Sequence, residues 1–366
     1  MSLDVFRGAT MASMLLVNNP GDWGHLYSQL DHAAWNGWTF TDLIFPFFLW
    51  IVGVAIPLSM GRRLENGEPR RQAVLRIFRR SAIIIGLGLL LNGFPHYGFS
   101  TIRIPGVLQR IGVCYFFAAM IFVYTGIRAQ ACIIVFLLAS YWLLMGTWGS
   151  TPWAEHGNFS EHVDSLVLHG HTWKETNTYD PEGIVSTLPA IASVLFGILT
   201  GHWLRSRREP AEKTAWMFVA ANLLLLAGQI LNYWMPINKK LWTGSYAIFM
   251  AGMALNIFAI CYWLIDVKEH KKWGKPFAIY GMNAITVFVL TGLLGRISTL
   301  VPAGSENGHS IMLKTWLFEH LKAAFVAVGG PLATPKNSSL LYALGYVALM
   351  YAVVWIMYRR KWFVRL

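Results

Sequence analysis

The residues best equipped for acid–base chemistry gather near the start of the chain. Asp31 and His32, followed by Trp35 and Asn36, lead directly into an apolar stretch that still carries Asp42 and Pro46. An imidazole, whose ordinary pKa is ~6.5, takes a proton from an attacking amine at physiological pH. It also serves as a nucleophile that carries an acyl group through a two-step exchange, and residue types alone leave both routes open. Either Asp31 or Asp42 can orient the ring. Ionisable groups at the mouth of a membrane helix are costly enough to mark function by default, so His32 is the first catalytic candidate. Trp23, Trp35 and Trp38 beside it are expected to anchor at a membrane interface or to stack on a ligand.

Other chemistry-bearing groups follow. Arg103, Gln109 and Arg110 flank Pro105, which suits the first turn of a helix and would set Arg110 more than a turn inside it. An arginine at that depth must pair with a carboxylate, a carbonyl or a ligand anion. Asp180 and Glu182 close a long polar segment, Lys239 and Lys240 precede another apolar run, and Asn283 follows Gly281-Met282. Of the eleven histidines, all but His202 and His270 fall on one expected side of the membrane. His156, His162, His169 and His171 match no compact zinc spacing, so no metal is expected. Cys114, Cys132 and Cys261 show no CxxC pairing and read as packing residues.

The elements that must hold these groups are membrane helices. In 366 residues 55% are hydrophobic and 13% charged, and mean hydropathy is +0.46, whereas a soluble domain is about 25% charged. Runs of about 20 apolar residues span a ~30 Å hydrocarbon core, and ten can be counted: 4–19, 39–60, 81–97, 104–126, 129–149, 184–203, 214–235, 241–265, 277–300 and 339–358. Asn18-Asn19-Pro20-Gly21 is no cleavage site for a signal peptide, so the first run reads as a retained helix. Basic residues set the orientation: Arg7, the 61–80 loop, Arg128, the 204–213 and 266–276 loops, and the tail with Arg359, Arg360, Lys361 and Arg365 hold most of the 30 Lys and Arg. The expectation is an all-α, polytopic integral membrane protein of about ten spans, with both termini cytoplasmic. It forms one domain over 1–366, with its largest outer loops at about 150–183 and 301–338. Basic loops facing an anionic leaflet account for the net charge of +12 without nucleic acid. Membrane lipids are the expected surroundings, and the inner (plasma) membrane of a bacterium the expected location.

Taken together, Ser2-Leu3-Asp4-Val5-Phe6-Arg7-Gly8, Val17-Asn18-Asn19-Pro20-Gly21, His32-Ala33-Ala34-Trp35-Asn36-Gly37, Asp42-Leu43-Ile44-Phe45-Pro46, the stretch from Arg103 to Arg110, Tyr179-Asp180-Pro181-Glu182-Gly183, Asn238-Lys239-Lys240-Leu241-Trp242 and Gly281-Met282-Asn283 resemble the heparan-alpha-glucosaminide N-acetyltransferase family of transmembrane acyltransferases. The resemblance is collinear over nearly the whole chain. It implies transfer of acetyl from cytosolic acetyl-CoA to a glucosamine amine across the membrane, with His32 catalytic and Asn18 its partner. The Asn18 amide would then supply the donor that the thioester oxygen needs as charge builds on it.

On this view Asp42 joins the catalytic set, and Arg110, Gln109, Arg103 and Asn283 are expected cofactor contacts. Asp31, Trp35, Asn36, Asp180, Glu182, Lys239 and Lys240 are expected to meet the sugar. The animal relatives imply a homodimer. The chain departs from the family in the length between Asn18 and His32, in reading NKK where a close relative's pattern reads NKN, and in lacking the large luminal domain of the animal enzyme, which points to a smaller amino-sugar acceptor. The competing class is a transporter for an amino sugar or small solute, against which stands the lack of a clear inverted repeat.

Overall fold

A computed structural model describes residues 1–98, 100–306 and 309–364; Arg365, assigned above to the basic tail, lies outside them. In chain order the helices are α1 (Ser2–Asn18), α2 (Phe40–Ile56), α3 (Arg70–Gly93), α4 (Val107–Tyr124), α5 (Ile127–Gly146), α6 (Phe159–Val167), α7 (Thr187–Arg205), α8 (Pro210–Leu231), α9 (Gly244–Tyr262), α10 (Lys275–Met282) and α11 (Ala284–Ser298). An antiparallel hairpin of β1 (Pro302–Glu306) and β2 (His309–Met312) follows, then α12 (Leu313–Gly329) and α13 (Pro335–Arg359). A turn of π-helix, Pro57–Gly61, and a short helix, Arg62–Glu65, prolong α2, and a second π turn, Trp263–Val267, prolongs α9.

Among the described residues seven helices are long and apolar enough to cross a membrane: α2 and α9 with their extensions, α4, α5, α7, α8 and α13. The bent pair α10–α11 makes an eighth if it counts as one span. The chain is thus an all-α integral membrane protein carrying one small hairpin, with fewer such helices than the ten runs expected. Helix α1 has 17 residues, about 25 Å at ~1.5 Å per residue. The expected run at 81–97 is the end of α3, whose earlier turns carry Arg70, Arg71, Arg76, Arg79 and Arg80. The run at 277–300 breaks by 76° around Asn283. Both large expected loops hold structure of their own: α6 in one, the hairpin and α12 in the other.

Contacts group the chain into two compact units, one of residues 1–32, 39–44 and 271–365, the other of 33–38 and 45–270. In the first, α1 stops where Pro20 lacks an N–H and restricts Asn19, and Asn19 Nδ2 donates to the carbonyl of buried Leu15 at 2.9 Å. Helices α1 and α10 meet almost backbone to backbone. A Cβ on Gly8 would lie 1.6 Å from the Phe277 oxygen, and one on Gly281 2.2 Å from the Asp4 oxygen. Arg7 Nη1 spans the contact, donating to Asp4 Oδ1 at 3.1 Å and to the Gly281 carbonyl at 3.3 Å. Fully buried Asn283 stands at the α10–α11 break, where its Nδ2 donates to Trp362 O at 3.1 Å and its Oδ1 accepts from Val364 N at 3.0 Å.

The second unit uses the same device between α2 and α7. A Cβ on Gly53 would meet the Val194 oxygen at 2.0 Å, and one on Gly197 the Trp50 oxygen at 2.1 Å. Close approach through small residues is how membrane helices gain contact when lipid tails are as apolar as side chains. Helix α4 starts two residues after Pro105, with Arg110 N donating to the Gly106 carbonyl at 2.8 Å. Arg110 therefore ends the first turn instead of lying more than a turn beyond it. The reason is Asn92, whose Nδ2 takes the carbonyls of Arg103 at 2.9 Å and Pro105 at 3.0 Å and keeps that segment out of the helix.

Candidate active site

The start of α2 builds the first cluster. Thr39 caps the helix: the Asp42 N–H donates to the Thr39 carbonyl at 3.0 Å, and Asp42 Oδ2 accepts from Thr39 N and Oγ1, both at 3.1 Å. This is half of a capping box: the third helical residue reaches back to the cap's N–H, while the Thr39 hydroxyl donates to the same carboxylate. Gln29 Oε1 satisfies a further exposed donor, Phe40 N, at 3.1 Å. With one oxygen fixed locally, the 1%-exposed Asp42 carboxylate turns its other oxygen to His32, Oδ1 to Nδ1, at 2.7 Å. Asp31 holds the same residue by its backbone, its Oδ1 accepting from His32 N at 2.8 Å, and the Asp31 carbonyl accepts from Thr39 Oγ1 at 2.6 Å. A carboxylate that receives Nδ1–H leaves the lone pair of a neutral ring on Nε2, and the His32 ring is half exposed. Such a pair can accept a proton and hold the resulting imidazolium. Asn18, the exposed last residue of α1, has no hydrogen-bond partner for its amide among the described residues.

In the second unit the Trp35 string docks on the Asn238 string. Asn238 is fully buried; its Nδ2 donates to Trp35 O at 2.9 Å and Asn36 Oδ1 at 3.2 Å, and Gly37 N donates to Ile237 O at 2.7 Å. Trp35 rests on the buried Tyr141, Met145, Val185, Met235 and Leu241, its Nε1 donating to the Trp153 carbonyl at 2.8 Å. Lys240 Nζ stands 5.4 Å over its ring. Lys239 lies half-buried alongside, its carbonyl accepting from Trp242 N.

A third group tethers the loop before α7. Arg103 Nε and Nη2 donate to the two Asp180 oxygens at 2.8 and 2.7 Å, and Nη2 also meets Glu182. Burial penalises this guanidinium, but the bonds and charges of Asp180 and Glu182 outweigh it and lift its pKa above the ordinary value. Asp164 receives the N–H groups of Asp180 at 3.1 Å and Ile184 at 3.0 Å. Arg103, expected at the cofactor, and Asp180 and Glu182, expected at the sugar, thus bind one another.

Arg110 is different. At 2% exposure its Nη2 reaches Gly183 O at 3.0 Å and the Ser186 hydroxyl, and Trp242 lies 5.3 Å beneath its plane. Among the described residues its Nε and Nη1 have no hydrogen-bond partner, nor has Gln109 Nε2. Orphaned buried donors on a cation fit an anionic or carbonyl group of a ligand. Asn283 by contrast spends both polar atoms on the tail backbone.

Sequence reasoning missed Thr39, Gln29, Ser186, Asp164 and Glu155. Of these only Thr39 left a local signal, the T-x-x-D spacing ahead of an apolar run.

These groups stand in a polytopic helical membrane protein: a histidine–aspartate pair at the head of one helix and, in the other unit, a buried and partly unpartnered arginine at the start of another. The chain belongs to the family described as heparan-alpha-glucosaminide N-acetyltransferase, catalytic, whose sequence model matches residues 1–236. That range contains every expected site residue except Lys239, Lys240 and Asn283. Heparan-alpha-glucosaminide N-acetyltransferase of Homo sapiens is 28% identical over 349 residues, covering 79% of this chain and 52% of its own length. The Mus musculus protein of the same name is 28% identical over 349 residues, covering 78% and 52%. The chain therefore spans about half the length of these relatives.

Proposed function

We propose that this protein transfers acetyl from acetyl-CoA to the amine of a glucosamine-type sugar, with His32 as general base. The observation that carries the reading is the 2.7 Å pair of His32 Nδ1 with a buried carboxylate, in a chain of this family. The neutral sugar nitrogen attacks the thioester carbon, and a C–N bond forms. The C–S bond breaks as the carbonyl reforms, and the nitrogen's surplus proton passes to His32 Nε2. The imidazolium, held by Asp42, returns that proton to the departing thiolate, giving free CoA and the N-acetyl sugar. Asn18 supplies an amide donor for the transient oxyanion; in the other unit, the unpartnered donors of Arg110 and Gln109 suit an anionic or carbonyl group of a cofactor. The basic inner loops hold the nucleotide end on the cytoplasmic side, and the acceptor comes from the opposite one.

Purified protein in detergent, given acetyl-CoA and glucosamine, is expected to release CoA and N-acetylglucosamine in equal amounts with no membrane gradient. His32→Ala is expected to lower turnover by about 10²- to 10⁴-fold while CoA binding persists. Accumulation of glucosamine in vesicles without thioester loss would replace the enzyme by a carrier.

A further inference from the structure

Glu155 belongs to no group assigned so far. Its Oε1 accepts from the Tyr179 hydroxyl at 2.7 Å and from Lys240 Nζ at 3.4 Å, while among the described residues Oε2 has no partner. The side chain is 43% exposed, and the Tyr179 bond, with Lys240 behind it, holds the carboxylate below its ordinary pKa. Tyr179 itself is buried and meets the Trp35 ring edge-on at 6.2 Å. A pinned indole, a lysine over it and an open carboxylate bonded to that lysine therefore stand together.

A sugar hydroxyl is both donor and acceptor, and a carboxylate–ammonium pair satisfies both roles at once. Charge-assisted bonds of this kind are roughly twice as strong as neutral ones. The C–H face of a pyranose suits the face of an aromatic ring, and the Trp35 Nε1 bond to the Trp153 carbonyl holds that ring in place. A simple amine offers none of this.

We infer that Glu155, with Lys240 and Trp35, forms an acceptor subsite that recognises the hydroxyls of a pyranose and makes the protein select amino sugars over other amines. The inference rests on the acetyltransfer reading and names its specificity-determining carboxylate. Glu155 accepts hydroxyl hydrogen bonds through Oε2 while Lys240 donates.

The test compares glucosamine with cyclohexylamine, a ring amine without hydroxyls, as acceptors for wild type and Glu155→Gln. Expected is a fall of about tenfold or more in kcat/KM for glucosamine, carried by KM, with the cyclohexylamine rate and the KM for acetyl-CoA unchanged. Glu155→Asp should recover part of the loss. Equal losses on both amines, or no loss on glucosamine, would overturn the subsite and leave the transferase standing. Direct titration of glucosamine by tryptophan fluorescence separates the two claims. Weaker binding to Glu155→Gln, in a protein that transfers no acetyl, would keep the subsite and remove the reaction; equal binding there would remove both.

Discussion

At the scale of single residues, the pairing of His32 with Asp42 assigns each a distinct task. Asp42→Asn keeps the shape and replaces an acceptor by an amide that can present its N–H to the ring, which favours the other tautomer. A wrong tautomer in a comparable pair costs up to ~10⁴ in turnover. The expected outcome is a fall of about 10²- to 10⁴-fold in kcat with the KM for acetyl-CoA within about twofold, read in the same detergent assay. A second pair shows how pH acts outside the membrane. Glu161 lies 2.9 Å from His156 Nδ1, and that hydrogen bond raises the imidazole pKa. A base whose folded pKa is raised adds stability in full below its unfolded value of ~6.5 and loses it as pH climbs through the folded one. Wild type should therefore lose its advantage in melting temperature over His156→Gln between about pH 6.5 and the raised folded value, and none of it below that window. A constant difference across the range would contradict the assignment.

At the scale of elements, glycines decide how near two helices come. The Gly8→Ala methyl would overlap the Phe277 carbonyl, 1.6 Å away, so α1 and α10 must separate, at a cost of about 1–3 kcal/mol. Gly345 in α13 faces open space, where a methyl would meet nothing within 4 Å, and Gly345→Ala is expected to hold or raise stability by up to ~1 kcal/mol. Thermal unfolding of the two variants in one detergent gives the contrast. Elements also explain what could be read ahead of the structure. The membrane class was legible because hydropathy over ~20 residues reports directly on burial in lipid, while the expected ten runs exceed the seven or eight helices long and apolar enough to cross. Asp42 was legible only as one of two carboxylates, with Asp31, close enough in the chain to orient His32; the Thr39 cap that fixes it was not read. The docking of Trp35 on Asn238 was not, because some two hundred residues separate them and nothing in either string marks its complement. The mutual neutralisation of Arg103 with Asp180 and Glu182 was hidden for the same reason, and an isolated charge reads as a ligand contact until its countercharge is found. Arg110 stands where the local pattern misled by a turn, because Asn92 diverts the carbonyls that Pro105 would have brought into the helix.

At the scale of the whole molecule, the proposed flow of acetyl from one compartment to the other requires the basic loops to face the cytoplasm. In a background with Cys114, Cys132 and Cys261 replaced by Ala, Asn66→Cys is expected to react with an impermeant maleimide only from the cytoplasmic side, and Glu175→Cys only from the opposite one. Labelling of both from one side would reverse the route of the donor or the acceptor. Asn283 extends its influence further than its own helices. Its amide is fully engaged with the backbone at Trp362 and Val364, and burying an amide stripped of both bonds costs roughly 1–3 kcal/mol for each group left bare. A purification handle or reporter fused after the last helix pulls on that seam, and trimming before Trp362 unpicks it. Handles are better placed in the exposed turn at 207–209, far along the chain from this stitching, when the intact protein is to be prepared for assay.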